Sequence, residues 1–138
     1  MPQVLVGGFL VVHGLITAMI GFGAVTKPNA PPMALPAWFA WWPGPFGRSW
    51  LFEAMNLGSG FALLGGLVWL AAGLALIGGG IGWLGVAPFE GVRYPLLVGG
   101  ASLGLVALAL YFHPLYLAAV LINIAVVGLL WGRLTTAS

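Results

Sequence analysis

Residues 37–56 read AWFAWWPGPFGRSWLFEAMN, from Ala37 to Asn56, and this stretch decides how the chain is divided. It holds four of the seven tryptophans, together with Arg48 and Glu53, one of only two acidic residues. Lys27 stands just upstream. Prolines 28, 31, 32, 36, 43 and 45 remove backbone donors and rule out one continuous helix. Lipid does not tolerate irregular exposed backbone, so residues 26–48 are expected outside a hydrocarbon core, with an apolar run on either side inside it. The piece ALPAWFAWW is expected to make one or two turns at the interface, with Trp38, Trp41 and Trp42 at headgroup depth.

Composition gives the same frame. The 138 residues are 62% hydrophobic and 4% charged, too few charges to keep so much apolar surface dispersed in water. A spanning helix takes about 20 apolar residues. The reading is an all-α integral membrane four-helix bundle, one transmembrane domain over residues 1–138, with spans at about 4–25, 50–76, 94–112 and 115–131. Ser49 is placed to cap the second span, and Gly78-Gly79-Gly80 is expected to end it. The first run, about 22 residues with no Lys or Arg before it, reads as a retained span rather than a signal peptide. The chain contains no cysteine, which excludes thiol redox chemistry and thiolate metal sites. A formal charge of +2 from six charged side chains is too sparse for a nucleic-acid surface.

Small residues recur at helical spacing on every span. Gly7, Gly14 and Gly21 share one face of the first. Gly58, Ala62 and Gly66 mark the second, Gly100, Gly104 and Ala107 the third, and Gly128 and Gly132 the end of the fourth. Such stripes let helix backbones approach closely where lipid removes the hydrophobic driving force. Four spans put both termini on one side; the charge-poor proline connection argues for termini in the cytoplasm, in a bacterial inner membrane.

Few residues can carry chemistry. His13 lies near the middle of the first span, where an ionisable group is a functional candidate. It can be a neutral ring bonded to Thr17 or a backbone carbonyl, a single axial haem or chlorophyll ligand, or a proton relay. Arg48, Glu53, Asn56 and His113 are expected to gather as a polar edge cluster under the tryptophan-rich connection. There they would serve as a headgroup or quinone contact, or as an ion pair that fixes the loop. Asn123, mid-way along the fourth span, reads as interhelical glue.

The pair His13-Gly14 in the first span, Glu53 in the second, and YFHP before LYLAAVLINIAVVGLL resemble a group of small four-span bacterial membrane proteins, distantly DoxX-like. Thr17 and Ala18 stand where that pattern often has a basic residue. The resemblance implies association with quinone-linked or redox membrane assemblies. Three functions follow as expectations. The first is a non-catalytic accessory subunit of a larger respiratory or photosynthetic membrane complex, with lipid and other membrane subunits as partners. The second is a quinone-linked protein using Glu53 and His113. The third is a homo-oligomeric small-solute transporter or channel.

Overall fold

A computed structural model describes residues 2–31, 34–35, 37–39 and 41–135. Pro32, Met33, Pro36 and Ala40 of the proline-rich connection, and the C-terminal tail 136–138, lie outside the described residues, so the ALPAWFAWW turn is seen in part, as a 3-10 turn over Ala37–Phe39. Among the described residues, five α-helices follow one another: α1 (Pro2–Thr26), the short α2 (Trp50–Ala54), α3 (Ser59–Trp83), α4 (Arg93–Leu110) and α5 (Leu117–Thr135). No strand occurs among the described residues. Among the described residues, four helical segments are long and apolar enough to cross a membrane: Pro2–Thr26, Ser59–Trp83, Glu90–Leu110 and Pro114–Leu134. The chain is all-α and has the helices of an integral membrane protein.

The second span differs from its expected bounds at both ends. Ser49 does cap a helix, accepting from the Phe52 N–H at 3.3 Å, but that helix is the five-residue α2. Leu57 N–H closes it back onto the Phe52 carbonyl at 2.8 Å, with Asn56 between them at φ +53°, a left-handed conformation that asparagine adopts more readily than most residues. The long helix then starts at Ser59 and runs through Gly78-Gly79-Gly80 to Trp83. Glycine costs about 1 kcal/mol relative to alanine inside a helix. In lipid, breaking the helix there would leave backbone groups unsatisfied, at several kcal/mol each, so the triplet stays helical.

The missing side chains are used for contact. A Cβ on Gly79 would meet Leu97 Cγ at 2.6 Å, and one on Gly80 would meet the Val11 backbone N at 2.9 Å. At Gly82 it would strike the Phe89 carbonyl. One end of α3 is thus gripped by α1, by α4 and by the Leu84–Val92 connection. The expected stripe on α1 packs along the same helix. A Cβ on Gly14 would lie 2.7 Å from Ile77 N, and one on Gly21 2.5 Å from Leu70 N; a Cβ on Gly7 would press into Leu84. Gly66 faces Val25 and Ala24, and Gly73 faces Ala18. The two helices therefore run antiparallel with their backbones nearly touching. On α4, Gly100 packs against the Ala72 carbonyl and Gly104 against the Asn123 side chain.

Two glycines expected on packing faces, Gly58 and Gly128, do not pack: neither has a neighbour within 4 Å of where a Cβ would stand. Gly58 precedes α3 as its N-cap, and Gly128 and Gly132 lie on the outward side of α5, whose exposed residues include Leu121, Ile124 and Leu129.

The core forms two layers along the bundle. One joins Trp69, Ala107, Leu108, Tyr111 and Tyr116, near the end where the proline-rich connection lies. The other joins Leu10, Leu76, Leu97 and Ala101, near the end holding the start of α1 and the Leu84–Val92 connection. At that second end Gln3 Nε2 donates to the Trp83 carbonyl at 2.9 Å, and Arg93 pairs with Glu90 at 3.4 Å while lying over the Tyr94 ring.

Gly21→Ala and Gly14→Ala should each lower unfolding free energy by about 1–3 kcal/mol, since backbone atoms rather than flexible side chains block the new methyl. Gly8→Ala, on the same helix with open space around it, should be close to neutral. Thermal unfolding in mild detergent checks this; equal effects at positions 8, 14 and 21 would contradict the packing.

Candidate functional site

The proline-rich connection is pinned to the bundle by its own side chains. Ser49 Oγ donates to the Leu110 carbonyl at 2.8 Å, and Trp50 Nε1 donates to the Ala109 carbonyl at 2.8 Å. Both acceptors lie in the last turn of α4, where helical carbonyls lack intrahelical partners. Arg48 Nε donates to the Ala30 carbonyl at 3.0 Å, and its Nη1 donates to Glu53 Oε1 at 3.0 Å. The guanidinium thus ties the two halves of the connection to α2. Both side chains are more than a third exposed, so the pair contributes only about 0–1 kcal/mol.

Beneath this strap is a cavity of about 650 Å³. Its walls are Ile16, Met19 and Ile20 of α1, Phe52 of α2 and Ala62 of α3, closed at the inner end by Tyr111 and Tyr116. Its rim carries Lys27, Asn29, Arg48, Glu53 and Ser59. Its volume falls in the range of about 300–1,000 Å³ usual for small-molecule sites. An apolar interior with charge confined to one rim suits an amphiphile that inserts from the membrane.

Of the expected edge cluster, only Arg48 and Glu53 come together. Asn56 stands exposed on the turn between α2 and α3 and does not line the cavity, because the helix expected to carry it inward has ended. His113 is completely buried and does not reach Glu53. It sits instead in an aromatic pocket: Phe46 lies 5.2 Å from its ring edge-on, Phe39 5.6 Å, and Trp42 6.3 Å. His113 Nδ1 accepts from the Leu115 N–H at 3.2 Å, capping the 3-10 turn Pro114–Tyr116 that leads into α5. A neutral ring bonded this way carries its proton on Nε2. Neither that nitrogen nor Trp42 Nε1, also buried, finds a hydrogen-bond partner among the described residues. His113 is therefore a packing and capping group that joins the connection to α5. Burial lowers its pKa from the ordinary 6.5.

The residues near mid-bundle form a separate polar node. His13 Nε2 lies 3.3 Å from Asn123 Oδ1, across from α1 to α5. Thr17 turns its hydroxyl back onto the His13 carbonyl at 2.8 Å, within its own helix. Asn123 is 2% exposed and fits the space left by Gly104. The residues present do not fit a tetrapyrrole: His13 Nε2 is engaged by Asn123, and His13 lines neither the large cavity nor the smaller one of about 390 Å³ beside Gln3 and Arg93. Tyr111 and Tyr116, which line the cavity, are not among the expected site residues. The signal was their position, flanking His113-Pro114 on the face shared with the tryptophan-rich stretch.

Asn123→Ala should cost about 0.6–1.7 kcal/mol, the range for interhelical polar contacts in membranes. In a double-mutant cycle with His13→Ala the two losses should not add; full additivity would show that the 3.3 Å contact contributes nothing. A second expectation concerns pH. Unfolding exposes His113 and restores its ordinary pKa, so the unfolded chain binds the proton more readily. Stability should therefore be constant above about pH 7 and fall as pH drops through 6.5 towards the depressed folded value. His113→Asn, which keeps a capping side chain, should flatten that slope in thermal melts; an unchanged slope would remove His113 as its source.

Comparison with known proteins found no matching family model, no matching curated protein and no matching solved structure.

Proposed function

We propose that this chain is an integral membrane protein of a bacterial inner membrane that holds a membrane-resident amphiphile beneath its proline- and tryptophan-rich connection. The observation that carries this reading is the cavity of about 650 Å³, apolar within and charged at one rim. The DoxX-like resemblance adds a quinone as one member of that ligand class. For a quinone, the Tyr116 hydroxyl is the hydrogen-bond donor, since that of Tyr111 donates to the Ala62 carbonyl at 3.5 Å, and Glu53 at the rim is the group able to exchange protons. His113, engaged with Leu115 and enclosed by aromatic rings, takes no part. The termini are assigned to the cytoplasmic side, which puts the cavity mouth at the opposite surface.

A second reading, compatible with the first, is a non-catalytic accessory role in a larger membrane assembly. Its support is the span Pro114–Leu134, which includes most of α5 and where only 11% of the most apolar stretch is buried inside the protein. That outward face, with Gly128 open along it, can take lipid or another subunit. The transporter reading draws less support, because His13, Thr17 and Asn123 bond within the bundle rather than lining a path.

Filling the cavity tests the first reading. Ala62→Phe and Gly23→Leu place bulk on opposite walls, and each should abolish quenching of tryptophan fluorescence by a short-chain quinone while leaving the thermal midpoint within a few degrees. Quenching that survives both variants would overturn the site. For the second reading, purification in mild detergent with mass spectrometry should recover other chains with the wild type and lose them in Gly128→Leu; a lone chain in both would remove it.

A further inference from the structure

The rim of the cavity is unevenly charged. Glu53 has its negative charge matched by Arg48, whose Nη1 lies 3.0 Å away, and Arg48 also spends Nε on the Ala30 carbonyl. Lys27 is exposed on the same rim and makes no ion pair among the described residues. The three charges sum to one uncompensated positive charge at the mouth.

One further feature points the same way. The N-terminus of α3 opens onto the cavity through Leu57, Gly58 and Ser59, and Gly58 provides no side-chain cap for the first N–H groups of a 25-residue helix. The positive end of that helix dipole is therefore directed at the space beneath the strap. The uncommitted charge at the mouth is thus a cation, while Glu53, which would repel an anion, has its charge offset by Arg48.

We infer that the ligand is an amphiphile with an anionic head and a single hydrocarbon chain, its head held at Lys27 and the start of α3 and its chain lying against Ile16, Ile20 and Phe52. This inference rests on the amphiphile-holding function proposed above and specifies its ligand class. A volume near 650 Å³ suits one chain rather than a complete two-chain lipid inside the walls. The head is a carboxylate or a phosphate monoester: the first comes from free fatty acid, the second from phosphate-bearing lipid.

The test titrates the full chain, in uncharged detergent at alkaline pH, with dodecanoate, dodecyl phosphate and dodecanol, and counts bound ligand by native mass spectrometry. Wild-type protein should bind at least one of the two anions about fivefold more tightly than the alcohol, the gain expected from one lysine near a membrane surface. Lys27→Gln should remove that preference and leave dodecanol binding unchanged, and Lys27→Glu should reverse it. A preference for dodecanoate alone identifies fatty acid as the source, and one for dodecyl phosphate alone identifies phosphate-bearing lipid. Equal binding of all three, or a preference that survives Lys27→Gln, overturns the anionic head while keeping the cavity. Failure of dodecanol and both anions to bind overturns the amphiphile reading itself.

Discussion

The near contact of two helix backbones, α1 and α3, is what the rest of the molecule depends on. Lipid provides no hydrophobic drive for helices to associate, so dispersion contacts at short range must hold them. Such contacts are densest where side chains are absent. Gly14 and Gly21 open α1 to the backbone of α3 at Ile77 and Leu70, and Gly66, Gly73 and Gly80 open α3 in return. α3 then has its other sides free for α4, which it receives through Gly79 and through Gly100 on the facing helix. The fifth helix is held differently, by the His13–Asn123 contact and by aromatic packing around Trp69 and Tyr116.

The cavity belongs to the same design. The close clasp between α1 and α3 ends at Gly66, opposite Val25. Beyond it, Gly58 and Gly60 meet nothing where a Cβ would stand, and Leu57, Gly58, Ser59 and Ala62 line the cavity. The connection closes over that space because Ser49 and Trp50 are bonded to the last carbonyls of α4 and because His113 anchors Phe46 and Trp42 from below. The helix ends, whose backbone groups need partners, thus become the attachment points of the strap.

Much of this was legible in the sequence because it follows from composition and period. The four apolar runs, the glycine stripe of α1, the Ser49 cap and the Arg48–Glu53 pair needed no tertiary information. What was not legible depended on competition between rules. Gly78-Gly79-Gly80 reads as a helix end by propensity, yet in an apolar run the need to satisfy backbone hydrogen bonds prevails and the triplet becomes a packing slot. Asn56 looked one turn further along a helix; the helix had stopped two residues earlier, and only the left-handed turn at that asparagine tells so. His113 was assigned to a polar cluster from its surface position along the chain. Its actual neighbours are aromatic rings brought from 67–74 residues away in sequence, beyond the reach of spacing arguments.

The α1–α3 pairing also has a bearing on how the chain is made. These are consecutive long helices, and their clasp is complete in sequence at Trp83, before any residue of α4 has been synthesised. Chains emerge N-terminus first and fold in units as they lengthen. The closest interface in the molecule is therefore a helical hairpin that a nascent chain can form by itself. Later helices then meet a finished surface: α4 docks on a glycine face already fixed in register, and α5, arriving last, brings Asn123 to His13 and to the space at Gly104 and lays Val126, Val127 and Leu130 on the second core layer. The order of the helices along the chain is also an order of decreasing demand on fit, so the least specific docking step is the last one that synthesis leaves to be made.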